Sequence, residues 1–304
     1  MVQIRHHHTG YLLLELELEH LDGACLSRAN LCGADLHHRC LARADLSRAN
    51  LRSADLQHAD LRGADFSEAI LDGALLIEAN LEGANLRRAR LVDARLTGAR
   101  AAGADLRDAN LLAVLASAAN FRSADLRNAI LDGVDLHGAD LRDADLRGAR
   151  LANASLKDAL LVGVIADRAA LMYAHLTAAD LTGARLCGAD LKGAFLWDAG
   201  LERADLTRAH LLRAHAEAVR ARDADFCLAN LAGARFAGAD LRGACFTGSI
   251  LHGTDLRRCD LRGADLSRAH VLHEAGLNQA VYDDTTRWPP EFHPRERGAV
   301  RDTR

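Results

Sequence analysis

The chain has 304 residues, a formal net charge of −4, 49% hydrophobic residues and only 4% aromatic ones. A charge this small argues for neither nucleic-acid binding nor a disordered acidic tail. The apolar content is mostly Leu and Ala, too lean in Phe, Tyr, Val and Ile for an ordinary globular core, and no stretch approaches the ~18–20 apolar residues of a membrane span.

Residues 1–20 open with "VQIR" and "YLLLELELE", two strand-like runs separated by Thr9-Gly10. They predict a β-hairpin that caps the N-terminal end of the main body of the chain, with alternating Leu and Glu forming a half-buried face. The segment lacks a basic start, a continuous apolar run and a small-residue cleavage site, so no signal peptide is expected. The seven cysteines are odd in number and form no C-x-x-C pair. That usage predicts free thiols and a reducing, cytoplasmic setting.

Residues 21–271 are a single repeat. The stretch "ADLSRANLRSADLQHADLRGADF", Ala44–Phe66, sets Ala, then Asp or Asn, then Leu or Phe, every five residues. From Leu26 to Val271 the apolar centre, Leu or Phe at all but six of 50 positions, falls on every residue number ending in 1 or 6 without a slip, and Ala precedes it by two at all but eight positions. A helix would carry this pattern around all its sides, because five residues turn it by ~500°. A straight strand would turn every second repeat outward, because side chains alternate with period two. The pattern works if each repeat is a short extended piece closed by a turn. Twenty of the 24 glycines lie two residues after a centre, the third place of a turn starting there, where a type II turn needs positive φ. Where Arg, Asp or Ser replaces glycine, a different turn type is expected. A right-angled turn per repeat closes a square every 20 residues, and stacked squares pair as parallel strands. This predicts an all-β solenoid of about 12 coils, near 60 Å long at ~4.8 Å per coil, with Phe226 stacked on Phe246. Val114–Ala116, Val164–Ala166 and Val219–Ala221 exchange volume between neighbouring inward slots, as close packing requires.

The runs "ADLRGADF", "ADLSRANL" and "ANLEGANL" resemble the A-(D/N)-L-x-x signature of the pentapeptide repeat family. The resemblance covers about 250 of the 304 residues. It implies a right-handed quadrilateral β-helix with the centre and the preceding Ala inside and the other three positions facing solvent. Residues 272–304 form a C-terminal cap, with Tyr282, Trp288 and Phe292 as a plug over the last coil and the final eight or so residues disordered.

No nucleotide loop, G-x-S-x-G elbow or H-E-x-x-H is present, and the many Asp residues are spaced by the coil rather than gathered in a concavity, so no enzymatic activity is expected. Cys25, Cys32, His37, His38 and Cys40 crowd the first coil but fall at outward positions on different sides, so neither metal nor cofactor is expected. Cys227 and Cys245 lie on one side in adjacent coils and are expected to be free thiols. Cys259 occupies an inward Ala slot. Met172, Tyr173, Phe195 and Trp197 form a candidate apolar contact patch for a partner or a second copy.

The resemblance extends to members that imitate DNA and shield a type II topoisomerase. An acidic column at 20-residue spacing, Asp45, Asp65, Asp105, Asp125, Asp145, Asp205, Asp225 and Asp265, is the candidate partner surface, since an Asp ladder presents charge as a phosphate strand does. Two features oppose this. Residues 21–271 carry 33 acidic and 32 basic residues, and Arg48, Arg107, Arg127, Arg147, Arg208 and Arg268 flank the column. The expectation is a protector of DNA gyrase or a related topoisomerase, binding neither nucleic acid nor membrane. The alternative is a structural or protein-interaction scaffold.

Overall fold

The computed structural model describes residues 1–303, which form two compact units, Met1–Ser155 and a second beginning at Leu156. Each unit is a right-handed quadrilateral β-helix. Parallel bridges join residues 20 apart, as in Asp45 with Asp65 in the first unit and Asp205 with Asp225 in the second. Four five-residue sides therefore close one coil. Centres and preceding alanines are inside: Leu51, Ala54 and Phe66 have no exposure in the first unit, nor have Leu201, Phe226 and Ala229 in the second. Each buried Leu contributes about 1.5–3 kcal/mol, so the core is many small layers of similar weight. Phe226 and Phe246 stack 5.1 Å apart at 6°, one coil from each other.

The repeat can be read from its backbone hydrogen bonds. In Leu46–Asn50, the Leu46 N–H donates to Asp65 O (2.7 Å) and the Arg48 N–H to Ser67 O (2.8 Å), both one coil on. The Asn50 N–H donates back to Ala29 O (2.9 Å), and the Ala49 N–H closes the turn on Leu46 O (3.0 Å). Four of five donors are thus satisfied by backbone. The fifth, on Ser47, donates to the Asp45 carboxylate (3.0 Å). Here lies the reason for Asp or Asn before the centre: it caps the one N–H the coil leaves over.

The turns correct one expectation. Every residue two after a centre, from Gly23 to Gly263, has φ between +51° and +73°, whether glycine or not. Arg43 (58°), Ser53 (51°) and Asp143 (59°) hold the same corner as glycine. Every corner must deliver its neighbours to the same inter-coil ladder, and that ladder outweighs a local penalty of ~1–2 kcal/mol. Gly138 isolates the penalty, because an added Cβ there meets nothing within 4 Å at φ +64°. Gly138→Val should cost about 1–2 kcal/mol in a denaturant titration, and Gly138→Asn a few tenths. Equal midpoints for the two would contradict a backbone origin.

Polar residues in inward Ala slots are buried and paired. Ser249 donates to Phe246 O (2.8 Å), Thr254 to Leu231 O (2.9 Å) and Cys259 to Phe236 O (2.9 Å). Burial pushes the Cys259 thiol up to about 12. Arg39, the charged exception, is exposed and shares a cleft with Glu15 and Glu19 of the N-terminal hairpin.

That hairpin pairs β1 (Val2–Arg5) antiparallel with β2 (Leu12–Leu16). Val2 and Ile4 of β1 are buried; Leu14 and Leu16 of β2 are half-buried while Glu15 and Glu17 are exposed, as the Leu/Glu alternation predicts, and the pattern stops at Leu18, which is exposed. Arg5 O accepts the Asp35 N–H (2.7 Å), standing in for the coil missing at this end. At the other end a 3-10 turn, Leu272–Glu274, leads into β3 (Val281–Tyr282). Asp260 bridges Val281 and Asp265 bridges Arg287, so the last turns hold 21 and 22 residues where earlier ones hold 20. Tyr282, Trp288 and Phe292 pack together, with centroids 5.5 and 5.3 Å apart. The expected disorder of the final residues is corrected. β4 (Val300–Arg301) pairs parallel with β3, and the Val300 and Asp302 N–H groups extend the ladder, donating to Ala280 O and Tyr282 O, both at 2.7 Å. Arg304, also included in that expectation, lies outside the described residues.

Candidate binding surface

The capping role of Asp changes how the acidic column reads. In the first unit Asp45, Asp65, Asp105, Asp125 and Asp145 each accept the N–H two residues on. Where that residue is Arg, its guanidinium folds back on the same carboxylate. Arg107 bonds both Asp105 oxygens (2.8 and 2.5 Å), Arg127 both of Asp125 (2.8 and 2.6 Å) and Arg147 both of Asp145. Arg107 also reaches Asp125 at 3.5 Å, and Arg127 reaches Asp145 at 3.7 Å. Three of the five aspartates named in the first unit thus form an Arg–Asp zipper rather than a row of free negative charge. Asp45 and Asp65 are backed by Ser47 and Ser67 instead. In the second unit Asp205, Asp225 and Asp265 are followed by Thr207, Cys227 and Ser267, each donating its N–H, and Arg287 approaches Asp265 at 3.5 Å.

Hydrogen bonds from Arg107 hold the Asp105 carboxyl below its ordinary value, and those from Arg142, Arg242 and Arg257 do so for Asp140, Asp240 and Asp255, each against a smaller burial effect. Burial alone would raise Asp283, but Thr285, Thr286 and the Gly263 N–H bring it down to about 2. Carboxyls depressed in the folded state stabilise fully above their unfolded value, 3.8, and lose that contribution as pH falls through the folded values. Melting temperature should therefore be flat above about pH 5 as far as these groups decide it, and fall progressively between about pH 4 and pH 2. A melting temperature unchanged down to pH 2 would contradict the capping assignment.

Where Arg occupies the capping position, the arrangement inverts. Arg150 pairs with Asp132, which lies 18 residues back in the preceding coil and also accepts the Ala152 N–H (2.9 Å). Arg185, Asp167 and the Cys187 N–H repeat this. Arg90 with Asp72 and Arg220 with Glu202 fill the same diagonal slot.

The apolar patch is only partly assembled. Phe195 lies between His175 (4.6 Å) and His215 (5.1 Å), which stack on it one coil to each side, and Trp197 sits 5.3 Å away. The Trp197 indole donates to Glu217 (2.6 Å). Tyr173 does not join: its ring covers Gly193, whose absent side chain makes room for it. Among the described residues no ring contact links Tyr173 to Phe195 or Trp197, and Met172 is half-buried. The two histidines were legible through their 20-residue spacing from Phe195.

Cys227 and Cys245 are joined by a disulfide, with Cα atoms 5.8 Å apart, against the expectation of free thiols. Their separation of 18 places them in the diagonal slot that elsewhere brings Asp and Arg together. Cys25, Cys32 and Cys40 are free and exposed. Among the described residues one group of three possible metal ligands converges, Asp225, Cys227 and Cys245. Clefts between the side-chain rows are open and charged, such as one of about 530 Å³ lined by His58, Asp60, Arg62, Glu78, Asn80 and Arg100. Among the described residues no helix is long and apolar enough to cross a membrane.

Coils of four five-residue sides, lined by rows of side chains one coil apart, define a repeat-built β-helix. The Pentapeptide repeats profile matches eight copies, over residues 44–79, 74–111, 119–158, 169–208, 209–248 and 246–271. The chain belongs to the pentapeptide repeat family. No curated protein matches it. Solved structures similar to it include HetL, a pentapeptide repeat protein involved in heterocyst differentiation regulation from the cyanobacterium Nostoc sp. strain PCC 7120. It is 31% identical over 75% of this chain and 89% of HetL, with a TM-score of 0.40. The pentapeptide repeat protein alr5209 from Nostoc PCC 7120 is 32% identical over 32% of this chain and 84% of its own, with a TM-score of 0.25. QnrB1, a plasmid-mediated fluoroquinolone resistance protein, is 16% identical over 77% of this chain and 92% of its own, with a TM-score of 0.23.

Proposed function

We propose that this protein is a non-catalytic binding scaffold that presents rows of side chains, at one-coil spacing, to another protein. The observation that carries this reading is the Phe195 row, where His175, Phe195 and His215 stack and Trp197 packs beside them, with Trp197 39% exposed in a chain otherwise poor in aromatic residues. Aromatic groups at a surface are the side chains that most often anchor a protein partner. Such a contact is tested by cross-linking the purified protein to its cellular partners, wild type beside Phe195→Ala with Trp197→Ala. Identical captured sets would remove the reading.

A finer reading, protection of DNA gyrase or a related topoisomerase by imitation of DNA, is supported by Asp45, Asp65 and Asp205, which among the described residues carry no arginine on their carboxylates. It is not supported by Asp105, Asp125 and Asp145, whose charge is already matched. On this reading the protein relieves inhibitor action on gyrase at low salt and loses the effect as salt rises. Asp45→Asn, Asp65→Asn and Asp205→Asn together should weaken the contact at least tenfold while keeping the capping oxygens. A supercoiling assay in which neither wild type nor variant changes gyrase activity would leave the scaffold reading alone standing.

A further inference from the structure

We propose that Asp225, Cys227 and Cys245 form a binding site for a thiophilic divalent cation, of which zinc is the type, when the Cys227–Cys245 disulfide is reduced. The oxygen of Asp225 and the two sulfurs lie within 4.8 Å of one another. A tetrahedral zinc–thiolate site holds its sulfurs about 3.8 Å apart, from Zn–S bonds of about 2.3 Å. Two cysteines whose Cα atoms are 5.8 Å apart reach that spacing by side-chain rotation. Asp225 already points at the pair, because one of its oxygens accepts the Cys227 N–H at 2.8 Å, which leaves the other for a cation.

The slot itself shows what is missing. Asp72–Arg90, Asp132–Arg150, Asp167–Arg185 and Glu202–Arg220 fill the same 18-residue diagonal, and each couples an anion to a guanidinium. At 227 and 245 both members are potential anions, Asp225 is a third, and among the described residues no Lys or Arg pairs with Asp225. A dication supplies the positive charge that arginine supplies in the other slots. Both cysteines and Asp225 are half-buried, shielded enough to hold an ion and open enough to admit one.

The chemistry balances in both directions. Binding replaces two thiol protons with two metal–sulfur bonds and releases both protons to solvent. Oxidation by a low-molecular-weight disulfide forms the Cys227–Cys245 bond and releases two equivalents of its thiol. Cation and disulfide therefore compete for the same sulfurs.

The test uses the full chain with Cys25→Ser, Cys32→Ser, Cys40→Ser and Cys187→Ser, reduced, and titrated with Cd²⁺ alone and then Zn²⁺ alone. The expected result is one Cd²⁺ per chain with a thiolate-to-metal charge-transfer band, one Zn²⁺ per chain in the separate titration, and protection of Cys227 and Cys245 from alkylation by either ion. Cys245→Ser should abolish the band and Asp225→Asn should weaken Cd²⁺ affinity at least tenfold, with circular dichroism matching the parent. No band in the parent, a band that survives Cys245→Ser, or an Asp225→Asn variant that binds as tightly as the parent would each overturn the three-ligand site.

Discussion

Leu141→Arg is expected to unfold the first unit, while Arg142→Ala leaves it folded. Leu141 has no exposure and lies one coil beyond Phe121, which is also buried. Arginine there would bury a guanidinium without a partner and force apart a slot sized for Leu; losses above about 4–5 kcal/mol are reserved for such cases. Stability in a stacked repeat is largely the sum of coil–coil interfaces, so one ruined layer also weakens its interface with the preceding coil. Leu141→Ala, which leaves only a cavity, should cost about 2–5 kcal/mol and sit between the two. Arg142 is paired as well as solvated, since it bonds both oxygens of Asp140 (2.8 and 2.6 Å). Asp140 keeps its hydrogen bond from the residue 142 N–H after truncation, so only a surface ion pair is lost, worth about 0.2–1 kcal/mol. Denaturant midpoints of the variants decide this. Comparable losses for Leu141→Arg and Arg142→Ala would refute the division into inside and outside.

The fold was legible because its cause is periodic and local. An apolar centre every five residues, with Ala two before it, excludes both helix and straight strand, and the closure of four sides follows from the turn. The Phe226–Phe246 stack could be placed before any coordinates for the same reason. The turn at non-glycine corners was not legible, because local preference at Arg43 or Ser53 points away from positive φ and only the inter-coil ladder overrides it. The capping role of Asp was not legible for a related reason. A column of Asp looks like a display of charge until the backbone donors are counted, and the leftover N–H is visible only when four partners of the pentad are known. The "DLR" triplets at Asp105–Arg107, Asp125–Arg127 and Asp145–Arg147 did carry the signal of a folded-back guanidinium. The sequence placed Cys227 and Cys245 on one side in adjacent coils, but not in contact, because side chains on adjacent coils meet at an 18-residue offset that straight 20-residue columns do not show.

The triple reversal Asp105→Lys, Asp125→Lys and Asp145→Lys is expected to destabilise the first unit severely, although all three side chains lie at the surface. Each substitution removes the acceptor of a backbone N–H, on residues 107, 127 and 147, at distances of 3.1, 3.2 and 3.1 Å. Losing a cap of this kind costs about 0.5–2 kcal/mol. Each also sets an ammonium against the guanidinium that the carboxylate now holds, and the Arg107–Asp125 and Arg127–Asp145 contacts turn repulsive along the column. Together the three changes should cost about 3–6 kcal/mol, on caps and charge combined. Asp105→Asn, Asp125→Asn and Asp145→Asn should cost only about 1–2 kcal/mol, because the Asn carbonyl accepts the same N–H and only exposed ion pairs are lost. The two triple variants, melted side by side at neutral pH, separate a structural column from one kept for its charge. If the Lys variant melts with the wild type, the carboxylates do not hold the backbone and the ladder is a surface for a partner to read. If it unfolds while the Asn variant stays intact, loss of gyrase binding by the Lys variant would report only a lost fold, and the Asn variant is the one whose binding, measured against salt, can show whether charge on this side is recognised.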